Sequence, residues 1–344
     1  MKALVKFAKG SGNVALQDVA VPVPAAGQVR IKVKRAGICQ TDMEYTHAEE
    51  SSVQPPVTLG HELSGVIDAV GEGVTNFKSG DRVIGQTTYH VCGKCRYCRT
   101  WNYNHCIERK GIGSIANGGF AEYLVIPAES AMHMPECMSF EEGALVEPVA
   151  CAVHGLIERT NIPAGAVVVV LGPGTIGLAA AMVAKCQGAH VVLAGLTHDE
   201  ERLQLAKSLG IQTVVNQQKE DLEQIVLGLT EGYGADYVVE CAGAAKAVDT
   251  GFKVLAKLGV FVSMGVFVTP IPTDFYAIHK KEITIIGSKS QKPSAWNTTI
   301  KLIEQGILDV KPLVSAVYPL TKWEDAFAHF NRKEGVKIML NPEE

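Results

Sequence analysis

Four cysteines crowd one short stretch of this 344-residue chain: Cys92, Cys95 and Cys98 lie within seven residues, and Cys106 follows eight residues later. Four thiolates at that spacing can enclose one tetrahedral Zn²⁺ at about 2.3 Å per sulfur, a closed site with no position for substrate. The alternative is a set of disulfides, which suits an oxidising compartment. The intervening residues, among them Gly93, Lys94, Arg96, Tyr97, Arg99, Trp101 and Asn102, offer little core, so a metal would supply the loop's folding free energy. Two other stretches hold metal-ligating residue types, Gly37-Ile38-Cys39-Gln40-Thr41-Asp42 and Gly60-His61-Glu62-Leu63-Ser64-Gly65. Each is bland alone, because a lone cysteine is usually a small buried hydrophobe.

A second kind of chemistry is written in Val167-Val168-Val169-Val170-Leu171 followed by Gly172-Pro173-Gly174-Thr175-Ile176-Gly177 and a helical run from Leu178 to Lys185. A buried β-branched strand, a G-x-G-x-x-G turn and a helix form the dinucleotide fingerprint, which brings backbone close to a pyrophosphate. A transmembrane helix is the rival reading of the apolar run from Ala166 to Ala184. Gly172-Pro173-Gly174 in its middle and the strand-like first half argue against it.

The elements that must position these groups follow from periodicity. Strands are expected at His190–Leu196, Ala235–Cys241, Val260–Val266 and Ile283–Ile286, with a helix at Asp199–Leu209, which continues the strand–helix rhythm of a doubly wound unit. Before it, alternation along residues 1–24 and 28–34 predicts half-buried antiparallel strands. Val66–Val70 and the run to Ile126 continue that β pattern, and Val149–Ile157 reads as a helix leading into the nucleotide unit. After it come a polar loop at Gly287–Ser294, an amphipathic helix at Ala295–Gln305, a capping box of Thr321 with Glu324, and a closing strand at Val336–Leu340. The expected organisation is three segments: 1–150 with a metal lobe at 90–108, an inserted dinucleotide-binding unit at 151–288, and a returning segment at 289–344.

Composition narrows the function. With 47% hydrophobic and 20% charged residues the chain reads as an ordinary globular enzyme, and a net charge of −4 gives no imprint for binding nucleic acid. Neither a membrane partner nor a secretory h-region is expected, so the location reads as cytoplasmic.

With these motifs in view, the sequence resembles the zinc-dependent medium-chain dehydrogenases, and within them the polyol (sorbitol-type) and threonine dehydrogenases. The resemblance covers essentially the whole chain. It implies an α/β architecture in which a partly β-barrel, chaperonin-ten-like catalytic domain carries an inserted Rossmann domain, with the active site in the cleft between them. It further implies two Zn²⁺ per subunit, a structural one on Cys92, Cys95, Cys98 and Cys106 and a catalytic one on Cys39, His61 and Glu62. Glu147, in a Glu-Pro dipeptide, would bind that zinc directly or through water. Asp42 matches the residue that fixes the tautomer of the zinc-bound histidine, and Thr41 the hydroxyl that passes on the substrate proton. Such a zinc acts as a Lewis acid on an alcohol whose hydride goes to the nicotinamide.

Two positions depart from the family pattern. A histidine commonly ends the proton relay where this chain has Glu44, with His47 three residues on. NAD-preferring relatives carry an aspartate where this chain has Gly195, and Arg202 is the nearest cation, so the cofactor is NAD or NADP, held by Gly172, Gly174, Thr175, Ile176 and Gly177 with Gly195 and Arg202 at the ribose. The expected reaction interconverts a secondary alcohol of a polyol or sugar alcohol with its ketone. The alternatives are a polyol-phosphate or threonine-type dehydrogenase and, from another class, a non-catalytic relative using the fold structurally. A homodimer or homotetramer is implied, with the Rossmann edge near Val260–Ile286 as one interface.

Overall fold

Along the strand Gln28–Gly37, Val29, Ile31 and Val33 are fully buried while Arg30, Lys32 and Lys34 on the opposite face are only partly covered. That alternation makes the strand the axis of a seven-stranded sheet. The strands run in the order Ala131–His133, Arg82–Gly85, Glu62–Val70, Gln28–Gly37, Lys337–Asn341 and Val314–Pro319, with Tyr123–Pro127 also paired to the axis. Tyr123–Pro127 takes one half of the axial strand's edge, from Gln28 to Lys32, and the C-terminal strand takes the other at Ala36 and Gly37. A smaller antiparallel sheet of Val14–Asp18, Lys2–Lys6 and Val57–Thr58 completes this β-rich unit. Its apolar core includes Leu4, Ile31, Leu63, Phe120, Leu124 and Leu340.

The computed structural model describes residues 1–49 and 52–343 and divides them into two compact units. The first comprises Met1–Glu147, Lys292–Glu304 and Val310–Glu344, and the second Pro148–Gln291 and Gln305–Asp309.

In the second unit six parallel strands lie in the order Thr213–Asn216, His190–Gly195, Val167–Leu171, Ala235–Glu240, Leu255–Ser263 and Thr284–Gly287. Numbered along the chain this is 3-2-1-4-5-6, the doubly wound dinucleotide-binding order. Val167–Leu171 is buried at every position because it is flanked on both sides and covered on both faces.

Several elements differ from the sequence expectation for local reasons. The helix expected at Val149–Ile157 spans Phe140–Val153 and continues as a π turn, His154–Glu158. It starts earlier because Ser139 and Glu142 cap it reciprocally, and Pro148 is accommodated inside it. No capping box forms at Thr321: a 3₁₀ turn, Leu320–Lys322, precedes the helix Trp323–Asn331, whose cap is Lys322. The fifth parallel strand ends at Ser263 rather than Val266. Helices Leu222–Leu229, Ala245–Val254 and Phe275–Lys281 were not read from the sequence. Among the described residues no helix is long and apolar enough to cross a membrane.

Candidate active site

Cys39 closes the axial strand's run and opens the helix Gln40–His47. His61 and Glu62 lie at the start of the neighbouring strand, whose register sets Glu62 opposite Gly37. Pairing of these strands therefore brings residues far apart in sequence together, and one ligand atom each from Cys39, His61 and Glu62 lies within 4.8 Å of the others. A side chain at position 37 is excluded: a Cβ there would stand 2.1 Å from Oε2 of Glu62, so Gly37 makes the space that the carboxylate fills.

Asp42 fixes the arrangement. Fully buried, it accepts from the Cys39 amide at Oδ2 (3.0 Å) and from the Gly60 amide at Oδ1 (3.3 Å), and its Oδ1 lies 3.4 Å from His61 Nδ1. The imidazole thus has its Nδ1 engaged and presents Nε2, as metal-ligating histidines commonly do. Burial opposes a charge on His61, but the Asp42 carboxylate and the Cys39 sulfur beside it hold its pKa well above the usual value. A group of anions that holds a proton on histidine is one in which a metal cation competes with that proton.

Lys337 is the residue that sequence reasoning missed. Its ammonium, 2% exposed, donates to both oxygens of Glu62 (2.8 and 2.6 Å) and to the Ile38 carbonyl (2.9 Å). Burial pushes the Glu62 carboxyl up to about 7, with the pull of Lys337 set against the push of Glu147. Burial disfavours the charge on Lys337, but Glu62 and the Cys39 sulfur keep it protonated above its ordinary range. The available signal was a lone lysine inside the apolar strand run Val336-Lys337-Ile338-Met339-Leu340. Glu147, buried in the helix Phe140–Val153, stands outside the three-ligand group yet acts electrostatically on both Glu62 and Lys337.

Thr41 is half-buried, with Oγ1 3.7 Å from Cys39 Sγ. Glu44, one turn along the same helix, is half-buried with its carboxyl raised by desolvation, and His47 at the helix end is exposed.

The second donor set is Cys92, Cys95, Cys98 and Cys106. Its sulfurs stand 3.6 Å apart for Cys95–Cys98 and Cys92–Cys106 and 4.0 Å for Cys92–Cys98. A disulfide requires about 2.05 Å. A tetrahedron with metal–sulfur bonds of about 2.3 Å has edges of about 3.8 Å, which these separations match. The Cys98 amide pulls the Cys95 thiol down to about 6 while burial pushes Cys98 up to about 12, so without a cation these two sulfurs do not carry charge evenly. Both donor sets fit zinc in atom type and spacing.

In the second unit the glycine turn is built for a ligand's close approach. A Cβ on Gly177 would strike the Gly172 carbonyl oxygen at 1.8 Å, whereas one on Gly174, at the N-terminus of the helix Thr175–Cys186, would meet nothing within 4 Å. In a dinucleotide-binding turn the third glycine serves helix–strand packing and the second leaves space for a pyrophosphate, and the surroundings of Gly177 and Gly174 have that form. Thr175 and Ile176 form the first helical turn there. Gly195 ends the second strand, and Arg202 lies against Asp199 at 3.5 Å.

Comparison with known proteins gives a consistent picture. Residues 25–136 match the alcohol dehydrogenase GroES-like domain family and residues 175–305 the zinc-binding dehydrogenase family. The chain is 43% identical over 343 residues to a sorbitol dehydrogenase of Halalkalibacterium halodurans, covering 99% of each protein. It is 39% identical to a D-arabitol-phosphate dehydrogenase of Enterococcus avium, covering 100% of this chain and 99% of that one. Among solved structures, a zinc-binding dehydrogenase of Sinorhizobium meliloti with NADP bound is similar at a TM-score of 0.91 and 29% identity, over 99% of both chains.

Replacing Lys337 leaves Glu62 buried beside Glu147 without its counter-charge. Metal-free Lys337→Met is expected to lose about 3–5 kcal/mol in urea denaturation, and the added change Glu62→Gln to recover most of that loss. Equal stability of Lys337→Met and the parent would show that the pair does not neutralise the site.

Proposed function

The chain belongs to the zinc-dependent medium-chain dehydrogenase family, and on that premise we propose that this NAD(P)-dependent dehydrogenase oxidises a secondary alcohol of a polyol to the ketone. The observation that carries the reading is the donor set Cys39, His61 and Glu62: one thiolate, one imidazole and one carboxylate, a mixed set that leaves zinc an exchangeable position, unlike the four-cysteine lobe. When bound, zinc supplies the Lewis acidity that lowers an alcohol's pKa, and the nicotinamide supplies the hydride acceptor.

The chain's own residues do the rest. Asp42 orients His61 and Cys39 through the contacts given above. Lys337 offsets the charge of Glu62. The Thr41 hydroxyl accepts the substrate proton while donating its own onward, and Glu44, whose raised pKa brings it nearer neutrality, takes the position at which that proton leaves. Glu147 tunes the charge of the site from beside Glu62. Cys92, Cys95, Cys98 and Cys106 hold a second zinc with a folding role, which makes residues 90–108 a structural lobe on a catalytic segment 1–150, with 151–288 as the nucleotide domain and 289–344 as the returning segment. All nine cysteines are free of disulfides, which supports a reducing, cytoplasmic location.

A phosphorylated polyol is the second reading, favoured by the similarity to the D-arabitol-phosphate dehydrogenase. Lys289 and Lys292, in the loop between the last parallel strand and the helix Pro293–Glu304, are candidates to hold the phosphate.

Homodimerisation through the sixth strand is also proposed. Among the described residues Thr284–Gly287 pairs on one side, to Leu255–Ser263, and the helix before it has Phe275 76% and Tyr276 70% exposed. An open edge beside exposed aromatics is a template for the same edge of a second copy.

Four experiments test these assignments. Metal analysis should find two zinc ions per chain; Cys39→Ser should lose turnover with its melting temperature kept, and Cys95→Ser should lose stability, whereas a metal-free, fully active preparation would contradict the assignment. In a panel of free polyols, polyol phosphates and threonine with both cofactors, the highest kcat/KM should fall to a polyol. If that substrate is phosphorylated, Lys289→Ala or Lys292→Ala should raise its KM while leaving neutral polyols unaffected. Ile285→Lys, an exposed change on the edge strand, should convert a dimer to monomer by light scattering, and an unchanged mass would move the interface elsewhere.

A further inference from the structure

The strand His190–Gly195 ends where a dinucleotide-binding fold reads the adenosine ribose. An acidic side chain about 20 residues beyond the glycine turn usually hydrogen-bonds the ribose hydroxyls there, and its charge repels a 2′-phosphate. Gly195 has no side chain to do either, and the glycine turn itself gives the reason. A Cβ on Gly195 would stand 2.8 Å from Cγ and 3.0 Å from Cδ of Pro173, and 3.1 Å from Cδ2 of Leu203. The leucine methyl, at the far end of its side chain, need give by only a few tenths of an ångström. The proline ring has less freedom, because it is fused to the backbone of the turn that leads through Gly174 into the helix Thr175–Cys186.

The nearest acid does not substitute. Asp199 is buried; its Oδ2 accepts from the Leu196 amide at 3.0 Å, and its Oδ1 faces both Arg202 and His198 at 3.5 Å. Its charge is matched by the Arg202 guanidinium, which is itself largely covered. Glu200 is engaged by Gln204 (2.9 Å) and Lys219 (3.5 Å). At the end of the strand His198, with 52% of its side chain exposed, lies 3.5 Å from Asp199 Oδ1, and the Thr197 hydroxyl exchanges long hydrogen bonds with the Asn216 amide (3.4 and 3.3 Å), contacts that a phosphate could displace.

We propose that Pro173 and Gly195 form a single specificity element: the proline ring occupies the space of any side chain at 195, which bars an acidic ribose clamp and admits the 2′-phosphate of NADP, read by His198 and Thr197. The proposal rests on the NAD(P)-dehydrogenase reading and deepens it. It differs from a simple missing-acid account in one respect. The acid cannot be restored by changing Gly195 alone.

The test uses the complete protein and two probes that need no turnover, adenosine 5′-monophosphate and adenosine 2′,5′-bisphosphate, titrated by calorimetry with a parallel thermal melt. The parent should bind the bisphosphate at least as tightly as the monophosphate. Gly195→Asp should weaken both by at least about tenfold, and Gly195→Ala, which adds a Cβ without charge, should weaken both as well. Pro173→Ala with Gly195→Asp should restore the monophosphate to within about threefold of the parent while the bisphosphate stays weakened by about tenfold or more. Pro173→Ala/Gly195→Ala should restore both, which separates the steric effect from the charge. His198→Ala should weaken the bisphosphate alone. If Gly195→Asp binds the monophosphate as well as the double variant does, Pro173 has no part and the proposal falls. A parent that prefers the monophosphate by more than about tenfold overturns it equally. Failure of the folded parent to bind either probe would overturn the nucleotide assignment and this proposal with it.

Discussion

Buried negative charge is the constraint around which the first unit is built. Asp42, Glu62 and Glu147 are all buried, and the Cys39 sulfur lies among them. Carboxylates removed from water are costly unless a cation or hydrogen-bond donors replace the hydration they lose. Asp42 is satisfied by two backbone amides and His61, and Glu62 by Lys337. Further positive charge comes with a divalent metal, which would meet the thiolate, imidazole and carboxylate in one place. The same excess of anions that is costly without a cation would give the site affinity for zinc.

The fold meets this constraint through strand register rather than through any single motif. Glu62 faces Gly37 across one pairing of the axial strand, and Met339 faces Gly37 across the other. Lys337, two residues before Met339, arrives from the far end of the chain with its ammonium at Glu62. A one-residue slip of the C-terminal strand would turn the lysine to the opposite face and leave Glu62 unpaired. The chain's last segment is thus part of the site's chemistry as well as its scaffold. In the second unit the control is again backbone geometry: Gly177 packs helix on strand, Gly174 leaves open space at the helix N-terminus, and Gly195 yields its side-chain space to Pro173.

Much of this was legible in the sequence because it is local. The glycine turn, the four-cysteine spacing and the alternation in Val29, Ile31 and Val33 each state their structure within a few residues. Helix and strand ends were less legible: the reciprocal cap of Ser139 and Glu142 begins a helix that Pro148 obscures, and Thr321 with Glu324 looks like a cap that a 3₁₀ turn replaces. The Lys337–Glu62 pair and the contact of Pro173 with the space beside Gly195 are long-range facts that no window reveals. A single lysine in an apolar strand run was the only trace of the first. The second left no trace at all, since a glycine at 195 reads as an absence until its neighbour is in place.

X-ray absorption at the zinc K-edge of the purified protein tests the central claim most directly, that one chain holds two chemically different zinc sites. The account predicts a mixed coordination shell: sulfur from Cys92, Cys95, Cys98, Cys106 and Cys39 at about 2.3 Å, with nitrogen and oxygen from His61 and Glu62 at about 2.0–2.2 Å. Cys39→Ser should make the remaining open-site contribution wholly nitrogen and oxygen, leaving the sulfur of the lobe intact. A shell of sulfur alone in the parent protein would contradict the account, because it would leave Cys39, His61 and Glu62 without the metal that their buried charge calls for.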